Sequence, residues 1–141
     1  MSIADNKTLF LRWFEDVVNQ RKLELMDELL AEDYVLHFPG MPVLDRDGHR
    51  QLGQAFLTGF ADWHEEVEAV LAEGDRTVAW ITGTGTHTGE FQGVAPTGRT
   101  VSVGGVGMAR IHQGTIAEMW ACFDTLGLLQ QLGALPAPVQ A

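Results

Sequence analysis

The hydrophobic period of this chain changes once, near residue 64, and that change sets its fold class. Before it, Leu9, Phe10, Trp13, Phe14, Val17 and Val18 recur at three- and four-residue spacing, which makes one apolar stripe along a helix. After it, Val67, Ala69 and Leu71 alternate with charged or small residues. Farther on, Val78, Trp80 and Thr82 alternate with Ala79, Ile81 and, at the strand's end, His87. A period of two belongs to strands. Helices followed by a run of antiparallel strands predict an α+β domain, with a curved antiparallel sheet wrapped around the N-terminal helices.

Local signals divide the chain further. Ser2-Ile3-Ala4-Asp5 has the form of a capping box for the first helix. Leu25, Met26, Leu29 and Leu30 predict a second, shorter helix. Tyr34 to Phe38 reads as a strand stopped by Pro39-Gly40. Asp45 or Asp47 is placed to cap a third helix running to Phe60, with Leu52, Phe56 and Phe60 inward. Turns at Glu73–Arg76 and His112–Gly114 separate long strands, and Gly89 to Thr97 is a long connection. The 141 residues predict a single domain over 1–135 with a short tail at 136–141.

Charge and cysteine content narrow the partners. With 19 acidic against 9 basic residues the net charge is −10, which disfavours nucleic acid or an anionic membrane as partner. Cys122 is the only cysteine, so no intrachain disulfide can form, as suits a reducing cytoplasm. No apolar run approaches the ~18 residues of a membrane span, and Met1 to Lys7 lacks a signal-peptide pattern. The expectation is a soluble cytoplasmic protein.

Asp124 is the leading candidate for chemistry. It ends the strand Thr115–Phe123 and precedes a helix-like run from Leu126 to Gly133. A carboxylate buried there would have a raised pKa and could act as general acid/base; its other natural role is helix N-cap. If Gln113-Gly114 joins a simple hairpin, Gly107 lies beside Trp120 and Gly105 beside Cys122, on the face of Asp124. Missing side chains there leave room for a ligand, or merely relieve strain. His87 could bind a substrate carbonyl or orient Asp124, or it could pin the following loop. His37 could point into the cavity or be a satisfied structural histidine. Trp120, Trp63 and Phe56 could line a pocket for a flat polycyclic ligand, or be plain core.

Other chemistry is disfavoured. His64 stands beside Glu65 and Glu66, but consecutive strand residues face opposite ways, so no metal site is expected. His49 and His112 sit in polar contexts and read as surface residues. Cys122 on an apolar strand reads as inert. Gly83-Thr84-Gly85 is followed by no helix and is no phosphate loop.

Taken together, Gly85-Thr86-His87-Thr88-Gly89-Glu90-Phe91 with Pro96-Thr97-Gly98-Arg99, Arg110-Ile111, Ile116 to Trp120 and Asp124 to Gly133 resemble the SnoaL-like polyketide cyclases. The resemblance covers nearly the whole chain. It implies the nuclear-transport-factor-2-like fold, a cone of curved sheet closed by helices. It implies a homodimer or homotetramer built through the open sheet face, an apolar or polycyclic small-molecule ligand, and no cofactor. It also implies that the aspartate matching Asp124 is the acid/base of an intramolecular aldol ring closure. From the residues themselves, His87, His37 or the protonated Asp124 could donate to the carbonyl oxygen as it gains charge. Relatives of the fold include isomerases, dehydratases, proteins that assist hydroxylation, and non-catalytic binding proteins, so fold alone does not decide. Asp45-Arg46-Asp47 has the composition of the acid–base–acid set of epoxide hydrolases of this fold, but the three are adjacent in one loop.

Overall fold

The computed structural model describes residues 2–136; Met1 and most of the expected C-terminal tail lie outside them. The chain opens with α1 (Ile3–Arg12), which continues without a break into a π-helical segment, Trp13–Asn19. Ser2 and Asp5 form the predicted capping box, each side chain bonded to the other's backbone N–H. A short 3₁₀ turn (Leu23–Leu25) leads into α2 (Met26–Leu29) and β1 (Leu30–His37). Then come α3 (Arg46–Gly59), β2 (His64–Glu73), β3 (Arg76–Thr86), β4 (Thr100–His112), β5 (Thr115–Phe123) and α4 (Thr125–Gln131). Asp45 caps α3 by accepting from Gly48 N at 2.7 Å.

One five-stranded sheet, in the order β1-β5-β4-β3-β2, carries the domain. The pairs among β2 to β5 are antiparallel, as predicted. β1 is the exception, joining β5 in parallel, a long-range pairing that local periodicity cannot encode. Two positive-φ residues, Gln113 (φ 50°) and Gly114 (φ 78°), make the tight β4–β5 hairpin and set His112 opposite Thr115.

Two β-bulges correct the expected side-chain faces. In β5, Ile111 pairs with Ile116 but Arg110 pairs with Glu118, so Ala117 is an extra residue. A one-residue insertion moves every later side chain to the other face. Gly107 therefore opposes Ala121 and Gly105 opposes Phe123, not Trp120 and Cys122 as a simple hairpin would give. In β2 the register shifts between Val67 and Ala69. Val67 stays on the inner face opposite Ile81, while Ala69 and Leu71 pass to the outer face, Leu71 being 70% exposed.

The inner face of the sheet meets the helices in two apolar clusters. Phe10, Trp13, Phe14 and Val17 pack with Ala79, Ile81, Ala109, Ile111, Ile116 and Met119. Phe60, Trp63, Phe91, Val101, Val103, Leu128 and Leu132 form the second cluster, under α4. Fully burying one such Phe or Leu stabilises the fold by about 1.5–3 kcal/mol, so the predicted helical stripe is the main anchor of the helices on the sheet. Among the described residues no helix is long and apolar enough to cross a membrane.

Candidate functional site

An apolar cavity lies between the helices and the inner face of the sheet. The π-helical segment lends it Trp13, Phe14, Val17 and Val18; α3 lends Leu52, Phe56 and Leu57; the sheet lends Ile81, Gly107, Met119, Ala121 and Phe123. A π-turn widens the helix by one residue and recurs at functional sites; here it turns two aromatic rings toward the cavity. Among the residues that line it, only Glu65 and His49 carry ionisable side chains.

Glu65 is held from three sides. Its side chain is buried, and Trp63 donates its indole N–H to Oε1 at 3.1 Å. Its backbone N–H donates to Asn19 Oδ1 at 2.8 Å, and its carbonyl accepts from Asn19 Nδ2 at 2.9 Å. β2 is the outer strand of the sheet on this side, so the Asn19 amide takes the place of a strand partner there. Burial pushes the Glu65 carboxyl up to about 7, against the opposing pull of the indole bond.

His49 faces the cavity from α3. Its ring lies 5.0 Å from that of Trp13 and is stacked on Tyr34 at 5.8 Å. Burial pulls the imidazole down to about 4 and raises the Tyr34 phenol, so both are neutral near pH 7. Tyr34 is 1% exposed, and its hydroxyl meets His49 Nδ1 at 2.9 Å, its one hydrogen bond among the described residues. A buried phenolic proton needs an acceptor, so Tyr34 donates to Nδ1. The ring proton of His49 then sits on Nε2.

The structure does not bring the predicted site residues together. Phe56, Trp63 and Gly107 line the cavity. At Gly105 the space left by the missing side chain is filled by Phe123, whose Cδ1 would lie 2.6 Å from an added Cβ. His37 and Trp120 lie on the outer face, where they border a shallow groove. Their rings stack at 5.2 Å, His37 Nε2 meets Glu118 Oε2 at 2.6 Å, and the Arg76 guanidinium covers Trp120 at 4.8 Å. The bond from His37 foremost, and then one that Arg110 donates to Glu118 Oε1 at 3.1 Å, hold the Glu118 carboxyl below its usual range.

His87 is fully buried in the second apolar cluster, 5.3 Å from the Phe60 ring. Its Nδ1 accepts from Thr97 N at 3.2 Å, and its backbone bonds Arg99 and Gly98, so it pins the Gly89–Thr97 connection. Nε2 is left buried without a partner among the described residues. Asp124 is exposed rather than buried. Its carboxylate accepts from Gly127 N at 2.9 Å and caps α4, and it is not among the residues lining the cavity.

The two ionisable residues of the cavity, His49 and Glu65, are not among those the sequence pattern singles out. The polar context of His49 reads as surface, yet the residue stands three positions before Leu52, on the inward face of α3. Glu65 shares strand parity with Trp63 and Val67, opposite to its neighbours His64 and Glu66. Those two are exposed and pair with each other at 3.3 Å. Arg46 pairs with Asp27 at 3.3 Å, while Asp45 serves as a cap. Among the described residues no three His, Cys, Asp or Glu side chains are grouped to hold a metal ion.

The family model described as SnoaL-like polyketide cyclase matches residues 8–132. AclR from Streptomyces galilaeus, proposed to be a hydroxylase, shares 32% identity with a TM-score of 0.89, over 99% of this chain and 87% of that one. IdmH from Streptomyces antibioticus, proposed to be a polyketide cyclase, shares 31% identity with a TM-score of 0.82, over 91% and 98% of the two chains. TsrD from Streptomyces laurentii shares 27% identity with a TM-score of 0.84, over 96% and 99%. No curated protein matches the chain in the corresponding sequence comparison. With its curved five-stranded sheet, its apolar cavity between sheet and helices and a family match over almost its whole length, this chain belongs to the SnoaL-like polyketide cyclase family.

Proposed function

We propose that this protein closes a ring in an apolar carbonyl compound by cofactor-independent acid/base catalysis, an intramolecular aldol reaction carried out inside the cavity. The observation that carries the reading is an apolar, aromatic-walled chamber in which Glu65 and His49 are the ionisable side chains. A carbon flanked by two carbonyls is acidic enough for a carboxylate to deprotonate, because the enolate is delocalised. Apolar walls hold that carbon against an internal ketone or aldehyde, and proximity lowers the barrier to closure. The carbonyl oxygen gains charge as the new bond forms, so a neutral hydrogen-bond donor in a dry site helps.

The family resemblance assigns the proton transfer to Asp124, whose carboxylate caps α4, whereas position in the cavity favours Glu65. The test is product formation from a panel of aromatic polyketide esters with wild type, Asp124→Asn and Glu65→Gln. Cyclised product from the wild type supports the reading, and the variant that loses it identifies the carboxyl. A product that gains an oxygen with no ring closed would favour the reaction proposed for AclR. Ligand binding with no conversion by any form would make the protein a carrier.

The same proposal includes a homo-oligomer formed through the outer sheet face. Leu71, Trp80 and Val106 are 70%, 55% and 37% exposed on that face, an apolar surface larger than scattered single residues. Sedimentation of the wild type and of Trp80→Lys tests it, with a monomer in both cases sinking it.

A further inference from the structure

We infer that Glu65 is the general base of this cavity and that His49, through Nε2–H, donates to the carbonyl oxygen of an aryl 1,3-dicarbonyl substrate. The inference rests on the reaction class proposed above and names its residues. Glu65 Oε1 is held by Trp63 and its backbone by Asn19, while Oε2 makes no hydrogen bond with any described residue. His49 Nδ1 is held by Tyr34, and its Nε2 is likewise without a partner among the described residues. Each group is thus fixed at one end and open at the other, and both side chains line one chamber. Such immobilisation is what a positioned acid/base pair requires.

The surroundings keep the pair free of competing charge. Asn19 from the π-helical segment is uncharged. β3 offers Ile81 and Gly83, β5 offers Phe123, and α3 offers neutral His49. On β2, His64 and Glu66 are exposed and bonded to each other. Arg21 is engaged by the carbonyls of Val18, Asn19 and Ala61. With a midpoint raised to about 7 by burial, Glu65 is available near neutrality both as carboxylate and as acid.

The step balances within the chamber. The Glu65 carboxylate takes the proton from the carbon between the two carbonyls, leaving an enolate whose oxygen accepts from His49 Nε2–H. The enolate carbon bonds to the internal carbonyl carbon, whose π pair moves to oxygen. That alkoxide takes the proton back from Glu65, and His49 stays neutral throughout.

The first half of this cycle can be read without the natural substrate. A 2-alkyl aryl β-keto ester in D₂O, incubated with the full chain, reports proton abstraction as loss of its α-proton signal. Wild type is expected to accelerate exchange over buffer, with a rate rising through a midpoint near pH 7. Glu65→Gln, which keeps the acceptor for Trp63, is expected to lose about 100-fold or more. Glu65→Asp should restore part of the rate, His49→Phe should lower it, and the exposed Glu66→Gln should leave it unchanged. No acceleration by wild type, or exchange within a few-fold of wild type in a folded Glu65→Gln, overturns the inference. Ring closure in the ester panel would then stand on another base. Conversely, Glu65-dependent exchange with no cyclised product would sink the aldol reading and leave Glu65 as the base.

Discussion

Trp63 occupies the space that a side chain at Gly83 would need. A Cβ built on Gly83 would lie 2.4 Å from Cζ2 and 2.7 Å from Cη2 of the indole. From that seat the indole N–H reaches Glu65, the residue paired with Gly83 across β2 and β3. The bare backbone of β3 therefore has a definite use. It lets an aromatic ring lie against the sheet and fix a buried carboxyl, rather than leaving empty volume.

Gly83→Ala tests this arrangement. The added methyl collides with a ring that is itself packed against Phe56 and Phe60 at 5.1 and 5.5 Å, so it cannot swing away freely. Overpacking of this kind costs about 1–3 kcal/mol, and the indole bond to Glu65 should lengthen or break. Urea denaturation gives the first quantity and the Trp63 side-chain N–H resonance the second. Unchanged stability together with an unshifted indole signal would show that Trp63 does not depend on Gly83.

How far the sequence could reach is shown by β5. Its strand character and its hairpin turn were legible, because alternation and Gln113-Gly114 are local signals. The extra residue at Ala117 was not, since a bulge answers to the curvature of the closed sheet and not to the residue itself. That one residue sent Trp120 outward and brought Ala121 and Phe123 into the cavity. The shift after Val67 in β2 did the same to Ala69 and Leu71. The π-turn at Trp13–Asn19 is equally invisible to a helical stripe that reads alike at either pitch. Asp124 was legible as a cap, while Glu65 was hidden between His64 and Glu66, whose side chains the sheet turns the other way.

Glu65 should make stability depend on pH in a definite direction. Its folded midpoint, about 7, lies above the ordinary 4.5. Its contribution is therefore fully present below pH 4.5 and is lost as pH rises through 7. Glu65→Gln keeps the neutral form at every pH. The variant should match wild type near pH 4.5 and exceed it by up to about 3 kcal/mol above pH 8. His49, whose midpoint falls to about 4, contributes the opposite slope below pH 6.5, but equally in both proteins, so it cancels in the difference. Urea curves for both proteins at pH 5 and pH 8 give the answer. A gap that does not widen with pH would mean the carboxyl is not buried.

Gly107 gives a separate handle on the cavity. A Cβ there would meet Phe10 Cζ at 3.4 Å and Phe14 Cζ at 3.9 Å, which is ordinary contact. Gly107→Ala should fold with stability within about 1 kcal/mol of wild type. Gly107→Val adds bulk on a cavity-lining position and should weaken binding of an aryl ketone about tenfold or more, read by quenching of tryptophan fluorescence. Unaltered binding in a folded Gly107→Val would place the ligand elsewhere, with the outer groove beside His37 and Trp120 the next site to probe.

Asn19 holds the backbone of Glu65 through two bonds, and its two nearest substitutes should fail differently. Asn19→Ala removes both partners and leaves the N–H and carbonyl of residue 65 bare on the outer edge of β2. Leaving such groups unsatisfied costs about 1–3 kcal/mol when water cannot reach them. Asn19→Asp still accepts from Glu65 N–H, but it cannot donate to the carbonyl and it brings a negative charge beside a buried carboxyl. Like charge disfavours ionisation, so the Glu65 midpoint should rise above 7 in the aspartate variant. Carbon-13 titration of the Glu65 carboxyl, alongside urea denaturation, separates the two effects. A midpoint that stays at the wild-type value in Asn19→Asp would show that Asn19 supports only the strand and has no hold on the acidity of Glu65.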